Sequence, residues 1–340
     1  MVGFVGSLSK GLGPGRRGIQ TKMSASPVVL CPGQGAQSVG MGKAWKEKSK
    51  AAQKIFDRAD AVLGDRLGSK LSDIIMNGPK SALDRTDVAQ PAIFVTSIAS
   101  WEGMKELELV APGNPATAAG LSLGEYTALT VGGAVEFEAA LELVALRGLA
   151  MQEASEAVDS TMCALVGADE EKATSCIEYA LERCKGQVLV AANFNAPGQV
   201  VLSGSSEACN MAATYAADEL KLRAVMLDVA GAFHSPLMAP AAARLGDALA
   251  GTSIEAPACP VLANVTGLPH EADPESIRNR LIEQLTNPTR WSDCMSYYKS
   301  NPDVTGEGDW IELAPGKTLT GIMKKCDRRR KVIGFDSPPE

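Results

Sequence analysis

The chain has 340 residues, a formal net charge of −7, and 45% hydrophobic and 21% charged residues, a composition of a soluble globular protein with room for about two domains. The acidic balance argues against a general nucleic-acid binder, and no uninterrupted apolar run approaches the roughly 18–20 residues of a membrane helix. Eight cysteines, with no C-x-x-C pair and no His/Cys clustering, make a zinc site unlike this pattern and read as reduced, mostly buried residues of an intracellular protein.

Residues 1–26 carry Lys10, Arg16, Arg17 and Lys22 and no acid, the first carboxylate being Glu47. That is the composition of an organelle leader rather than of a secretory signal. Pro27 to Cys31 reads as a short strand ending at Pro32-Gly33-Gln34-Gly35. Helical apolar spacing covers residues 43–63 and 92–109, with Pro91 expected at the first helical position. The small apolar run Ala116 to Ala119 reads as a strand, followed by Gly120-Leu121-Ser122-Leu123-Gly124 and a helix-forming stretch from Glu125. A helix is expected over about 137–154. This strand–helix alternation points to a parallel, helix-covered sheet.

From about 158 to 229 the pattern changes to β-α-β-β-α-β. Strands are expected at Met162 to Val166, Val188 to Ala192, Val200 to Ser203 and Ala224 to Val229, with helices over 169–184 and 205–221. That order is ferredoxin-like and reads as an insertion in the larger unit. A helix over 236–250, a strand at Val261 to Asn264, a helix near 274–286, a strand at Trp310 to Leu313 and a final helix complete the chain. The expected fold is α/β: a hydrolase-like core with a parallel sheet, residues 27–157 and 230–330, plus an inserted ferredoxin-like subdomain, residues 158–229.

Ser122 stands at the apex of a strand–turn–helix bend, where a hydroxyl is exposed at a helix N-terminus. A serine needs a base, and only His234 and His270 can supply an imidazole. His234 follows an expected strand and precedes a helix, the position where α/β sheets build sites; His270 lies in the polar turn Gly267 to Glu271 and is the weaker candidate. Asp228 is the nearest preceding acid that could orient the ring, but it reads more readily as a surface charge at a strand end, and a backbone carbonyl orients an imidazole equally well. Arg147 sits on an otherwise apolar helix face. By itself it reads as a snorkelled or ion-paired arginine, or as a fork for a substrate carboxylate. Gly33-Gln34-Gly35 could turn backbone N–H groups toward an anion, but lacks the G-K-[ST] of a phosphate loop.

Eight segments in order carry a resemblance. They are Pro32 to Gln37, Ala89 to Ala92, Gly120 to Tyr126, Leu146 to Gln152, Asn193 to Val201, Gly231 to Ser235, Gln284 to Pro288 and Glu312 to Lys317. Together the chain resembles the malonyl-CoA:acyl-carrier-protein transacylase family from about Pro27 to Lys325. The resemblance implies Ser122 as acylated nucleophile, His234 as base, the backbone amides of Gln34 and Leu123 as oxyanion hole, and the Gln284 carbonyl as holder of the imidazole. It implies Arg147 as clamp for the malonyl carboxylate, with Gln90 and Asn193 lining the cleft. Leu121 stands where many members have histidine, a form that resembles plant and algal plastid members; Gly-Ala-Phe-His resembles the malonyl-selective version of the histidine motif.

The implied activity is malonyl transfer from malonyl-CoA to the pantetheine thiol of acyl carrier protein for fatty acid synthesis, by a monomer with no metal or cofactor, in the plastid stroma or alternatively the mitochondrion. Carrier proteins are acidic, which singles out the basic segment Lys324, Lys325, Arg328, Arg329, Arg330 and Lys331 as a docking patch or a solvated tail. A serine hydrolase or thioesterase on the same elbow, a free-standing polyketide acyltransferase and a non-catalytic scaffold are the competing readings.

Overall fold

The structure, a computed structural model, describes Met23 and residues 25–339. The leader expected over 1–26 therefore lies, apart from three residues, outside the described residues. Among the described residues the strands are β1 (Val28–Cys31), β2 (Thr117–Gly120), β3 (Ser160–Val166), β4 (Leu189–Ala196), β5 (Gln199–Ser205), β6 (Arg223–Met226), β7 (Val261–Leu262), β8 (Trp310–Leu313) and β9 (Val332–Phe335).

Five of them form a parallel sheet in the order β7-β2-β1-β8-β9. β1, a continuous apolar run, and β8, apolar but for Glu312, are buried along their whole length, as strands covered on both faces must be. The two-residue period of the strand divides its side chains. Val29 and Cys31 join the core with Trp45, Phe56, Phe94 and Phe137, whereas Val28 and Leu30 join Trp291, Tyr298 and Trp310 on the other face. Cys31 pairs in register with Gly120, so β1 and β2 end level. Their following loops, residues 32–37 and 121–124, emerge side by side at the carboxyl edge of the sheet, where open α/β sheets bind ligands.

The other four strands form an antiparallel sheet, β4-β5-β3-β6. Helices Glu170–Arg183 and Ser206–Asp218 cover one face around Cys163, Leu165, Leu189 and Leu202. Met162, Ala164, Ala192 and Val201, on the other face, belong to the main core. A bridge of two backbone hydrogen bonds, Phe194 N–H to Thr289 O at 2.9 Å and Thr289 N–H to Ala192 O at 2.8 Å, staples β4 to the larger unit. The α/β architecture with a parallel sheet and a separate antiparallel, ferredoxin-ordered one is the fold class that the sequence implies.

Local differences have physical reasons. The helix expected over 43–63 is two, Lys43–Lys48 and Lys50–Leu63, because Ser49 leaves helical conformation and its hydroxyl accepts the Ala52 N–H at 3.0 Å as an N-cap. Pro91 is not a first helical residue but lies inside Thr86–Glu106. That helix starts a turn earlier because the Gln152 side chain accepts the Thr86 N–H at 3.0 Å, satisfying an orphan donor of its first turn. The Asn195-Ala196-Pro197-Gly198 turn tightens to Pro197-Gly198. Beyond the final helix, Thr318–Cys326, the chain returns as β9 along β8, so the basic segment 324–331 joins two packed elements rather than trailing off.

Candidate active site

The elbow is built from glycines that no other residue replaces. A Cβ at Gly120 would lie 1.8 Å from the Gly124 carbonyl oxygen, and one at Gly124 would lie 2.1 Å from the Cys31 carbonyl oxygen. The close approach holds Ser122 at φ 54°, in the left-handed region that a non-glycine residue rarely occupies. A Cβ at Gly33 would meet the Leu121 carbonyl oxygen at 2.4 Å, so the 32–37 loop lies directly against the elbow.

His234 also has positive φ, 56°. Its loop is held by hydrogen bonds on both sides: Ser203 Oγ donates to Phe233 O at 2.6 Å and Ser235 Oγ donates to Ala232 O at 2.7 Å. This directs the ring onto Ser122, with Nε2 2.8 Å from Oγ. Its Nδ1 lies 2.7 Å from the main-chain carbonyl of Gln284, at the end of helix Pro274–Glu283. The carbonyl accepts the Nδ1 proton, which leaves Nε2 as the acceptor facing the serine. His234 is 3% exposed. Burial, and next the positive charge of Arg147, lower its pKa to about 4, against a smaller raising effect of the Gln284 carbonyl. The ring is neutral at pH 7 and free to take a proton.

Arg147 projects from the middle of helix Phe137–Glu156 and is 1% exposed. Its Nη2 donates to Ser122 Oγ at 3.0 Å and to Gln284 Oε1 at 2.9 Å, and its Nη1 donates to Gln90 Oε1 at 2.5 Å. The guanidinium is neither snorkelled nor paired with a carboxylate among the described residues, which corrects the ordinary reading of an arginine on an apolar face. Burial lowers its pKa, while Tyr126 and Glu125 nearby act in the opposite sense. A buried cation without an anion is costly, and such a site is completed by a carboxylate that binds it.

Gln34, Gln90, Ser122, Arg147, Asn193 and His234 all line one cleft of about 680 Å³ between the two sheets' units. Gln34 and Asn193 face it with their side chains tied elsewhere, Gln34 Nε2 to Thr86 Oγ1 at 3.3 Å and Asn193 Nδ2 to Thr289 Oγ1 at 2.5 Å. The Ser122 N–H is taken by Asn264 Oδ1 at 2.6 Å, whereas the N–H groups of Gln34 and Leu123 donate to no acceptor among the described residues.

Asp228 is an exposed charge just beyond β6, on the cleft wall, and the ring of His234 is oriented by the Gln284 carbonyl at Nδ1, as the surface-charge and backbone-carbonyl readings have it. His270 is no surface residue: its side chain is fully buried, with Nε2 2.8 Å from Glu125 Oε1. Glu125 and Asn264 have no place among the sequence candidates, and His270, the weaker candidate base, meets Glu125 and not Ser122. Asn264 had a signal, a polar residue at the carboxyl end of an apolar strand in a parallel sheet.

An elbow serine sharing a hydrogen bond with a neutral imidazole, beside an unpaired guanidinium, is the apparatus of acyl transfer. Residues 28–325 match the acyl transferase domain family, and the chain is an acyltransferase. It is 39% identical over 311 residues to the malonyl CoA-acyl carrier protein transacylase of Bacillus subtilis, covering 91% of this chain and 93% of that protein. It is 36% identical over 306 residues to the mitochondrial malonyl-CoA-acyl carrier protein transacylase of Homo sapiens, covering 88% and 77%. Among solved structures, the Coxiella burnetii malonyl CoA-acyl carrier protein transacylase aligns with a TM-score of 0.84 and 32% identity, over 93% of this chain and 96% of that one. A malonyl-transacylase solved in complex with a type II polyketide acyl-carrier protein aligns with a TM-score of 0.83 and 33% identity, over 92% and 97%. The chain belongs to the malonyl-CoA:acyl-carrier-protein transacylase family.

Proposed function

We infer that the chain moves a malonyl group from malonyl-CoA to the pantetheine thiol of an acyl carrier protein, supplying fatty acid synthesis. Ser122 Oγ attacks the thioester carbonyl carbon while His234 Nε2 takes its proton. The tetrahedral oxyanion rests on the N–H groups of Gln34 and Leu123, each such donor being worth about 2.7–4 kcal/mol. His234 returns the proton to the departing coenzyme A sulfur, leaving malonyl-serine. The carrier thiol then gives its proton to His234, attacks the ester carbonyl, and Ser122 leaves reprotonated. Every proton and charge in this cycle has a protein group to hold it, so it calls for no cofactor.

The observation that carries this reading is Arg147: a buried cation with no carboxylate partner among the described residues, 3.0 Å from the nucleophile. It gives an acyl group that ends in a carboxylate a fixed counter-charge, with Gln90 holding the guanidinium from the other side. Asn193, from β4, lines the same cleft. The carrier docks at the cleft mouth beside the basic segment 324–331. Support comes from Lys325, whose Nζ donates to Gln199 Oε1 at 2.8 Å, and from Gln199 and Ile322 lining the cleft.

The enzyme works as a monomer, and residues 1–26 direct it to a plastid, the alternative being a mitochondrion. Their basic, acid-free composition supports an organelle address, and its readout is where a fusion of that segment to a fluorescent protein localises.

The test loads the protein with malonyl-CoA and then adds pantetheinylated carrier protein. Transfer of malonyl to the carrier, with little free malonate before its addition, is expected. Rapid release of malonate without carrier would make the chain a hydrolase.

A further inference from the structure

Behind the elbow lies a buried network that the reaction cycle does not use. Glu125, the residue after the second elbow glycine, is fully buried, and both its oxygens are taken. Oε2 accepts Gln284 Nε2 at 2.7 Å and the Asn264 N–H at 3.0 Å; Oε1 faces His270 Nε2 at 2.8 Å. Two of these partners, Gln284 and Asn264, touch the chemistry. Gln284 holds His234 through its main-chain carbonyl and meets Arg147 Nη2 through its own Oε1. Its Nε2 also donates to the Ser122 carbonyl at 3.0 Å. Asn264 takes the Ser122 N–H through Oδ1 and gives Nδ2 to Gly120 O at 2.6 Å.

We propose that Glu125, held by His270, is a positioning residue for both the Ser122–His234 pair and the Arg147 clamp, acting through Gln284 and Asn264. This rests on the function inferred above and deepens it.

The chemistry follows from donor and acceptor inventories. A Gln284 amide can present either its oxygen or its nitrogen to Arg147. Only the oxygen accepts from a guanidinium, and the Glu125 carboxylate, an acceptor alone, fixes the amide that way round. Three donors converge on Glu125, so an ionised carboxylate satisfies all three, whereas a glutamine in its place must aim an N–H at one of them. His270 supplies the donor that fills Oε1. It reaches there because its backbone N–H donates to Val261 O at 2.8 Å, in the edge strand β7 of the parallel sheet. The carboxylate stays one amide away from Arg147 and forms no ion pair with it, so it faces the buried cation without occupying the fork meant for substrate.

The test is rapid-quench measurement of malonyl-serine formation at saturating malonyl-CoA, per site able to be acylated, in the full chain carrying Glu125→Gln, His270→Gln or His270→Leu. A misplacement of the reacting groups by about 1 Å costs on the order of 100-fold. Glu125→Gln is expected to slow acylation roughly 10- to 100-fold, with the half-saturating malonyl-CoA concentration moved less than about threefold. His270→Gln, which keeps a donor to Oε1, is expected to stay within about threefold of the parent rate, and His270→Leu to fall about tenfold. If Glu125→Gln does not fold, the two His270 variants decide. Variants that lose folded protein but acylate each remaining site at the parent rate, or His270→Gln and His270→Leu with equal rates, would overturn the proposal. If the parent protein itself forms no malonyl-serine, it is the function that fails and not the network.

Discussion

Replacing Arg147 by alanine tests the clamp in two directions at once. The guanidinium lies 3.0 Å from Ser122 Oγ and is bracketed by Gln90 Oε1 and Gln284 Oε1, at 2.5 and 2.9 Å. A malonyl group on Ser122 carries its carboxylate into this 1%-exposed neighbourhood. Leaving one partner of a buried charge pair alone costs about 3–5 kcal/mol, which is a loss of roughly 10²- to 10³-fold or more in kcat/KM for malonyl-CoA. An acetyl group has no such carboxylate and loses nothing. It gains, because the Arg147 charge is one of the causes that hold the His234 pKa down at about 4. Without that charge the imidazole is a stronger base toward Ser122. Transfer of malonyl and acetyl groups from their coenzyme A thioesters is measured side by side for parent and Arg147→Ala. Malonyl transfer should collapse while acetyl transfer holds or rises. An unchanged ratio between the two acyl groups would refute the clamp.

Three further outcomes are expected. His234 titrates near pH 4 in the folded protein against about 6.5 unfolded. Between those values the unfolded chain binds a proton that the native one refuses, so stability is unaffected above pH 6.5 and falls as pH drops toward 4, by roughly 3 kcal/mol at full effect; urea unfolding of the parent should show this extra loss relative to His234→Gln. Gln284→Glu places a carboxylate at the position 2.9 Å from Arg147 Nη2. It should pre-pair the guanidinium and, because its second oxygen replaces the Nε2 donor to Glu125 and to the Ser122 carbonyl, slow transfer of both acyl groups, with malonyl falling the more so that the preference for malonyl over acetyl is lost. Reversing Lys325, Arg328 and Arg329 to glutamate should raise the apparent KM for carrier protein at least several-fold with little change for malonyl-CoA; equal changes in both would remove the docking role.

The core architecture was legible because it rests on local chemistry. Apolar runs such as Val28 to Leu30, the glycine-pinched serine, and the Pro197-Gly198 turn each announce themselves within a few residues. What escaped is non-local. His270 lies in a polar turn with no apolar period, and it is buried only because Glu125, 145 positions earlier, meets it. β9 follows a run of cations that reads as a tail, yet the edge of β8 gives it a partner. Helix Trp291–Ser300 mixes Trp291, Met295 and Tyr298 with serines and charges, too weak a pattern until the second face of the sheet covers it. Ser49 is a local signal that the apolar spacing over 43–63 hid: a capping residue inside a helical pattern, it breaks the expected single helix into two. At the site, Ser122, His234, Arg147, Gln90 and Gln284 lie in one connected cluster, whereas Gln34 and Asn193 line the cleft without joining it by their side chains.

The central claim is that Ser122 carries the malonyl group as an ester. Intact-mass measurement after mixing with malonyl-CoA examines it directly. One malonyl adduct on the parent protein, lost on adding pantetheinylated carrier protein and missing from Ser122→Ala, is the expected result. The same adduct on Ser122→Ala, or none on the folded parent, would contradict it.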